Sequence, residues 1–327
     1  MTSEDYRIIL FYKYVRVADP ETVAEGQKKL CEILSLKGRC IIAPEGINST
    51  FEGTKEKIEE YIKELEKDER FLNIHFKYSI GTGNSFPKLS VKVRKEIVSL
   101  NLGTCDIDPN QISGKKLSSE ELHKWIKDKK EFYIVDMRNV YEHKIGHFEN
   151  SILSSIENFR DLPKVVEQIA HLKNKTVLTV CTGGVRCEKA SGFLIKEGFN
   201  DVYQLDGGIV SYMEKYPNED FQGKLYVFDG RITMGPSALG TGLYTDDLNH
   251  KIVGKCDVCG GPSENYVNCA NPVCHRHFIN CENCLVKNKA FCPGGCVLSR
   301  HGRKISPVEA NLVYGLPYTN GTRTLNK

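Results

Sequence analysis

Val177-Leu178-Thr179-Val180-Cys181-Thr182-Gly183-Gly184-Val185-Arg186-Cys187-Glu188-Lys189 decides the fold of this chain. Four β-formers drive a buried strand toward Cys181. A turn with two glycines follows, and Arg186 to Glu197 reads as a helix. In such a strand–loop–helix the loop amides converge on one atom, and the helix N-terminus adds a positive end. A thiol held there ionises more readily and sits in an anion cradle. The competing reading is a buried strand-end cysteine beside an ordinary turn.

From Cys181 to Arg186 the spacing is Cys-x4-Arg, six residues counting both ends. This resembles the active-site loop of rhodaneses, whose cysteine carries sulfur as a persulfide; related phosphatases have one residue more. Upstream, Tyr133-Ile134-Val135-Asp136-Met137-Arg138, then Glu142 and Gly146-His147-Phe148, are similar to the rhodanese opening motif. Leu205-Asp206-Gly207-Gly208-Ile209 is similar to its closing turn. The resemblance implies a rhodanese domain over residues 113–222, a parallel sheet with helices on both faces. It implies Cys181 and Arg186 as catalytic residues and Thr182, Gly183, Gly184 and Val185 as the active-site loop. Asp136, Arg138 and Cys187 are supporting residues. Arg186 either orients the loop or meets an anion, and Cys187 is either a resolving thiol or a small helix residue.

The chain of 327 residues has ordinary composition and is long enough for two or three domains. No apolar run approaches the ~18 residues a membrane span needs, and Met1-Thr2-Ser3-Glu4-Asp5 does not read as a signal peptide. The thirteen cysteines are odd in number, which argues against a disulfide framework. A cytoplasmic protein with no membrane partner is expected. The net charge of +3 divides as −1 over residues 1–112, −1 over 113–222 and +5 over 223–327. A positive last third suits a polyanion partner or a merely solvated surface.

The first segment, residues 1–105, alternates as βαββαβ, the order of a ferredoxin-like (acylphosphatase-like) α+β domain. Strands are expected at Arg7–Val15, Cys40–Ala43, Ile47–Glu52 and Asn73–Tyr78, and an extra one at Leu89–Val98. One helix should run from Asp19-Pro20 to about Lys37, ended by Gly38. The other should span Thr54–Lys67. In Ala43-Pro44-Glu45-Gly46-Ile47-Asn48 the glutamate, glycine and amide make either a hairpin corner or a ligand-facing turn. Asp106–Gly114 reads as linker. Beyond it helices are expected at Ser119–Lys129 and Phe159–Leu172, and strands at Phe132–Asp136, Thr176–Val180 and Asp201–Gln204.

Residues 223–327 open with a short strand, Leu225–Asp229, and the loop 235–242, then hold eight cysteines within 41 residues. The pairs are Cys256-x2-Cys259, Cys269-x4-Cys274, Cys281-x2-Cys284 and Cys292-x3-Cys296. Such spacing points to two tetrahedral, structural zinc sites. Crossed pairing joins Cys256, Cys259, Cys281 and Cys284 on one ion and Cys269, Cys274, Cys292 and Cys296 on the other. Sequential pairing joins the first four and the last four. His275 or His277 can replace a thiolate, and disulfides or free thiols are the alternative to metal.

With all three segments in view, the chain resembles the rhodanese-like tRNA uridine hydroxylases, the TrhO family (formerly UPF0176). The residues that carry this are Ala43–Asn48, Cys181 to Ser191, Val227-Phe228-Asp229-Gly230-Arg231 and the cysteine-rich tail. The resemblance implies 5-hydroxylation of the wobble uridine, position 34, in the tRNA anticodon region, with molecular oxygen as co-substrate and an unnamed reductant. Two departures stand out: Asn48-Ser49-Thr50 replaces an expected Asn-Gly-Thr, and the loop 235–242 is longer than expected. Cys181 then acts either as a thiolate adding to uracil carbon 6 or after oxidation to a sulfenic acid or persulfide-derived oxidant. Arg300, Arg303 and Lys304 are candidates to hold RNA backbone. Tyr266, Phe278 and Tyr314 either stack on bases or pack in a core. The alternative function is a sulfurtransferase carrying a persulfide on the same cysteine.

Overall fold

Alternation builds the first sheet. In the computed structural model, which describes residues 6–103, 106–235, 250–271, 274, 276–293 and 296, Ile9 and Phe11 of β1 (Tyr6–Tyr14) are buried on one face. Leu10 and Tyr12 stand half-buried on the other. After β1 come α1 (Pro20–Ile33), β2 (Lys37–Ala43), β3 (Gly46–Thr54), α2 (Lys55–Leu65) and β4 (Lys77–Ile80). The strands lie in the order β4-β1-β3-β2, all antiparallel, which is the ferredoxin-like arrangement. The extra strand β5 (Leu89–Val93) adds parallel to β2. Val23, Cys31, Ile58, Tyr61 and Leu65 of the helices close over Phe11 and Phe51.

Gly38 does not end a helix. Helix α1 stops at Ile33, Ser35 takes a left-handed turn (φ 56°), and Leu34 and Leu36 are both drawn into the core. Gly38 instead lies within β2, where a Cβ would stand 2.1 Å from the Thr50 carbonyl oxygen. Strand β4 begins at Lys77 rather than Asn73, because Asn73 is itself left-handed (φ 58°).

The second sheet is fed by β6 (Lys115–Leu117), α3 (Ser119–Lys127), β7 (Tyr133–Asp136), α4 (Val140–His143), β8 (Gly146–Phe148), β9 (Ile152–Leu153), α5 (Leu162–Gln168), β10 (Thr176–Val180), α6 (Val185–Lys196), β11 (Asp201–Leu205) and α7 (Gly208–Lys215). Its strands run parallel in the order β6-β11-β10-β7-β9. Val135, Val177 and Val202 pack with Val165, Ala190 and Leu194 on one face. Ile134, Leu178 and Val180 pack with Leu122, Ile209 and Met213 on the other. Both faces are thus covered, as a parallel sheet requires. The expected helix Phe159–Leu172 is three pieces, with 3-10 turns either side of α5, because Pro163 suits only a first turn. Beyond β12 (Phe221–Gly223), the expected strand Leu225–Asp229 is only β13 (Leu225–Tyr226), paired with β14 (Thr233–Met234). The carboxylate of Asp229 turns back onto Arg231 and ends it.

Both sheets belong to one compact unit, the described residues up to His143 and from His147 to His250. A second unit holds Lys144–Gly146 and the described residues from Lys251 on. The latter contains β15 (Tyr266–Asn268), β16 (His277–Ile279) and α8 (Glu282–Asn288), with Val267, Phe278 and Phe291 in its core. Among the described residues no helix is long and apolar enough to cross a membrane.

Within the first unit one buried cation joins the two sheets. The Lys189 ammonium on α6 meets Glu45 and Glu96 at 2.8 Å each and Asp106 at 3.1 Å. Glu45 also accepts the Ile97 backbone N–H at 2.7 Å, so it is a corner brace. Asp106, expected as linker, is part of this joint. Removing one partner of a buried ion pair leaves uncompensated charge and costs about 3–5 kcal/mol. Lys189→Met is therefore expected to lower unfolding stability by that amount in urea titration. A loss below about 1 kcal/mol, the scale of a surface pair, would show that the joint does not depend on its charge.

Candidate active site

Strand β10 ends at Val180 and delivers Cys181, fully buried, to the carboxyl end of the parallel sheet, where such folds place reactive groups. Gly184, at φ 97°, turns its N–H onto the Cys181 Sγ at 3.2 Å. The carbonyls of Cys181 and Thr182 accept the N–H groups of Ile209 and Val210, at 2.9 and 3.0 Å. This presses the start of α7 against the loop so closely that a Cβ on Gly208 would stand 2.6 Å from the Gly184 nitrogen. Burial opposes ionisation of Cys181. The Cys187 thiol that donates to it, the Arg186 charge and the backbone N–H groups of Cys187 and Arg186 outweigh burial and lower its pKa to about 6. Burial and the neighbouring sulfur push the Cys187 thiol well up, so Cys187 stays protonated as the donor.

Arg186 is held from the side of α4. Its guanidinium is held by buried Glu142 in a two-point pair, NH1 to Oε1 at 2.5 Å and NH2 to Oε2 at 2.8 Å. Thr182 Oγ1 lies 3.4 Å from both Glu142 Oε2 and the guanidinium. Glu142 also accepts the Asn139 N–H at 3.0 Å. Arg186 thus locks the loop to α4 while its charge still favours the thiolate. Asp136 and Arg138 form a wholly buried pair, Nε to Oδ1 at 2.9 Å and NH2 to Oδ2 at 2.6 Å. They brace the turn after β7.

The helix-free face of the first sheet roofs this loop. Leu10 lies where a Cβ on Gly183 would be, 2.9 Å from it, and the Tyr12 hydroxyl stands equally close to one on Gly184. Tyr14 donates to the Val185 carbonyl and Tyr12 to Glu188 Oε1, both at 3.1 Å. Between roof and loop lies a cleft of about 420 Å³. Thr182, Gly183, Val185 and Arg186 line it on one side, and Asn48 and Thr50 on the other. Arg39 and Arg94 line it too, and both are exposed. Phe228, 46% exposed, lines the same cleft with Arg186 5.9 Å from its ring centre. Asn48 donates to the Ile97 carbonyl at 3.1 Å, which leaves its amide oxygen for a ligand.

The eight cysteines of the second unit gather into two groups, and the pairing is the crossed one. Cys256, Cys259, Cys281 and Cys284 form one set and Cys269, Cys274, Cys292 and Cys296 the other, each with its sulfurs within 4.8 Å of one another. All eight are free cysteines, with none joined in a disulfide. Sulfur separations of 3.5–3.7 Å match the edge of a tetrahedron with metal–sulfur bonds of about 2.3 Å. Either set could hold a metal ion. His277 belongs to neither; Tyr266 and Phe278 are buried, so both pack rather than stack on a base. His275, Arg300, Arg303, Lys304, Tyr314 and the loop beyond Gly235 lie outside the described residues.

In the sequence Glu142 and Lys189 stand only as motif letters and Arg39 only beside Gly38 near a distinctive turn, while Tyr12 and Arg94 carry no motif. Their common signal is a polar residue on a strand face or helix turn otherwise given to packing. The cradle makes a direct prediction. Thiolate absorbance in wild type, less that of Cys181→Ser, is expected to titrate near pH 6, against about 8.5 for a free thiol. Cys187→Ala removes a donor and is expected to move the midpoint up. A wild-type midpoint as high as the free thiol's would overturn the cradle.

Family models match three stretches of the chain: a UPF0176 acylphosphatase like domain at residues 6–97, a rhodanese-like domain at 118–215 and a rhodanase C-terminal segment at 222–297. A protein of Cytophaga hutchinsonii named tRNA uridine(34) hydroxylase is 43% identical over 293 residues, 90% of each chain. A Bacillus licheniformis protein of the same name is 44% identical over 297 residues, 90% of this chain and 88% of its own. One from Staphylococcus carnosus is 39% identical over 305 residues, 92% of this chain and 93% of its own. With this identity along almost its whole length, and with a rhodanese loop under an acylphosphatase-like roof, the chain belongs to the tRNA uridine(34) hydroxylase family.

Proposed function

We propose that this chain hydroxylates carbon 5 of uridine 34 in tRNA, using molecular oxygen and Cys181. The observation that carries the reading is a thiolate-favouring cysteine beneath a cleft with an exposed aromatic and two exposed arginines. A wobble base must leave its stack to meet buried sulfur. In the cleft Phe228 can stack on it, and the Asn48 amide oxygen can accept the imide N–H. Arg39 and Arg94 suit the flanking phosphates.

Addition of the Cys181 thiolate to carbon 6 breaks the 5,6 double bond and moves its electron pair into an enolate centred on carbon 5 and the carbon 4 oxygen. That carbon then takes one oxygen atom. Loss of the carbon 5 proton and expulsion of sulfur restore the ring. The second oxygen atom leaves as water, with two electrons and two protons drawn from an external donor. In the competing order Cys181 is oxidised first and hands its oxygen to carbon 5.

Mass spectrometry of tRNA nucleosides from a deletion strain tests this. Wild type is expected to restore 5-hydroxyuridine derivatives and Cys181→Ser to abolish them, with label arriving from isotopic oxygen gas rather than water. Full modification without the chain, or thiosulfate-dependent thiocyanate formation with no hydroxylation, would sink the reading.

We also infer structural zinc in the two cysteine sets, since four thiolates in tetrahedral reach select that ion. The basic balance of the last third, +5, suits RNA backbone, and a cytoplasmic setting follows from the substrate. Elemental analysis is expected to find two zinc ions per chain, one per set, and Cys284→Ala to lose one. Chelation is expected to unfold the second unit, because structural zinc supplies folding free energy directly. Metal-free protein with unchanged thermal unfolding would exclude this role.

A further inference from the structure

Tyr12 lines a second cavity, of about 400 Å³, which shares no other residue with the sulfur cleft. Lys77 of β4 lines it and is only 4% exposed. Among the described residues its ammonium has no hydrogen bond or ion pair; its one close partner is the Tyr12 ring, 5.2 Å away. The Cys181 thiolate, Asp206 and Glu188 favour its charge only through space, none in direct contact, and a ring face offsets only part of the cost of burying an ammonium. Lys13 lines the same cavity and donates to the Leu72 carbonyl at 2.5 Å, a neutral partner.

The acids there are already engaged. Glu188 and Asp206 lie 3.5 and 3.8 Å from Lys116. Glu188 also accepts from Tyr12 at 3.1 Å, Ser113 at 3.1 Å and Gln204 at 3.0 Å. Burial pushes His75 down, toward its neutral form. The three lysines therefore leave the cavity one positive charge in excess of its two carboxylates. Burial also lowers the Lys77 pKa to about 8, a cost that an arriving anion would relieve.

We propose that this cavity binds a phosphate group on the Lys77 ammonium, and that the group is a backbone phosphodiester of the RNA whose uridine enters the cleft beyond Tyr12. A compact ammonium is a point-charge phosphate binder. Tyr12, fixed to Glu188, would then stand between base and backbone. The proposal rests on the tRNA reading above, but its test does not depend on turnover.

Binding of a tRNA anticodon stem-loop to full-length, metal-replete protein is measured without oxygen across a range of salt concentrations. Lys77→Met is expected to weaken binding and flatten the log–log salt slope by about 0.7, one single-strand phosphate contact. Lys77→Arg is expected to keep the slope, and circular dichroism checks that both variants fold. In parallel, inorganic phosphate is titrated by phosphorus NMR against wild type and Lys77→Met. An unchanged slope with phosphate binding lost in Lys77→Met would assign the cavity to a free phosphate compound and overturn the RNA assignment. If slope and phosphate binding are both unchanged, the site itself is overturned. Absence of hydroxylated product from wild type would remove the reaction and leave this readout standing.

Discussion

A single ammonium, that of Lys189, ties the sulfur chemistry to the domain that covers it. Its three carboxylates come from the corner after β2, the segment after β5 and the stretch before β6. Burial pushes the Glu45 carboxyl up, against the pull of Lys189. Burial also opposes the Lys189 charge, yet the bonds to Glu45 and Glu96 hold its pKa above the ordinary lysine range. Lys189 sits one turn along α6 from Arg186, whose amide faces the Cys181 sulfur. One helix therefore anchors the roof with its side chain and cradles the thiolate with its backbone.

That arrangement leaves little latitude in the loop. Leu10 and Tyr12 press on Gly183 and Gly184 from above, and Gly208 presses from beside. Each contact excludes a side chain at that glycine. The first sheet thereby serves as a wall of the reaction chamber. Phe228 is fixed to the same sheet: Arg231, three residues on, donates to Ser79 Oγ and the Ile80 carbonyl at 2.8 and 3.0 Å.

Local chemistry was legible in the sequence; partnership across distance was not. The strand before Cys181, the glycine turn and the helix after it follow from the stretch 177–189 alone, and the βαββαβ order from alternation. Two cysteine sets could be counted, but spacing could not choose their pairing, because it depends on which knuckles the β15–β16 hairpin brings together. Gly38 misled because a glycine after a helical pattern usually caps it, whereas here a cross-strand carbonyl demands it. Asp136-x-Arg138 was read as a brace. The same Asp-x-Arg clasp recurs at Asp68–Arg70 and Asp229–Arg231, a geometry that only the coordinates reveal. Glu142 and Lys77 carry no local signal, since their partners are 44 residues away in one case and a cavity in the other.

The Lys189 joint also has a temporal side. Glu96 precedes Lys189 by 93 residues, an interval of roughly 5–20 s at ribosomal rates. For that time the nascent chain carries a cluster of like charges whose cation is still unmade. The first sheet emerges early, but the joint with α6 has no cation to close it. It closes only once the strand, the reactive cysteine and the helix have left the ribosome. The order of synthesis thus makes the anchor of the roof and the sulfur beneath it at nearly the same moment.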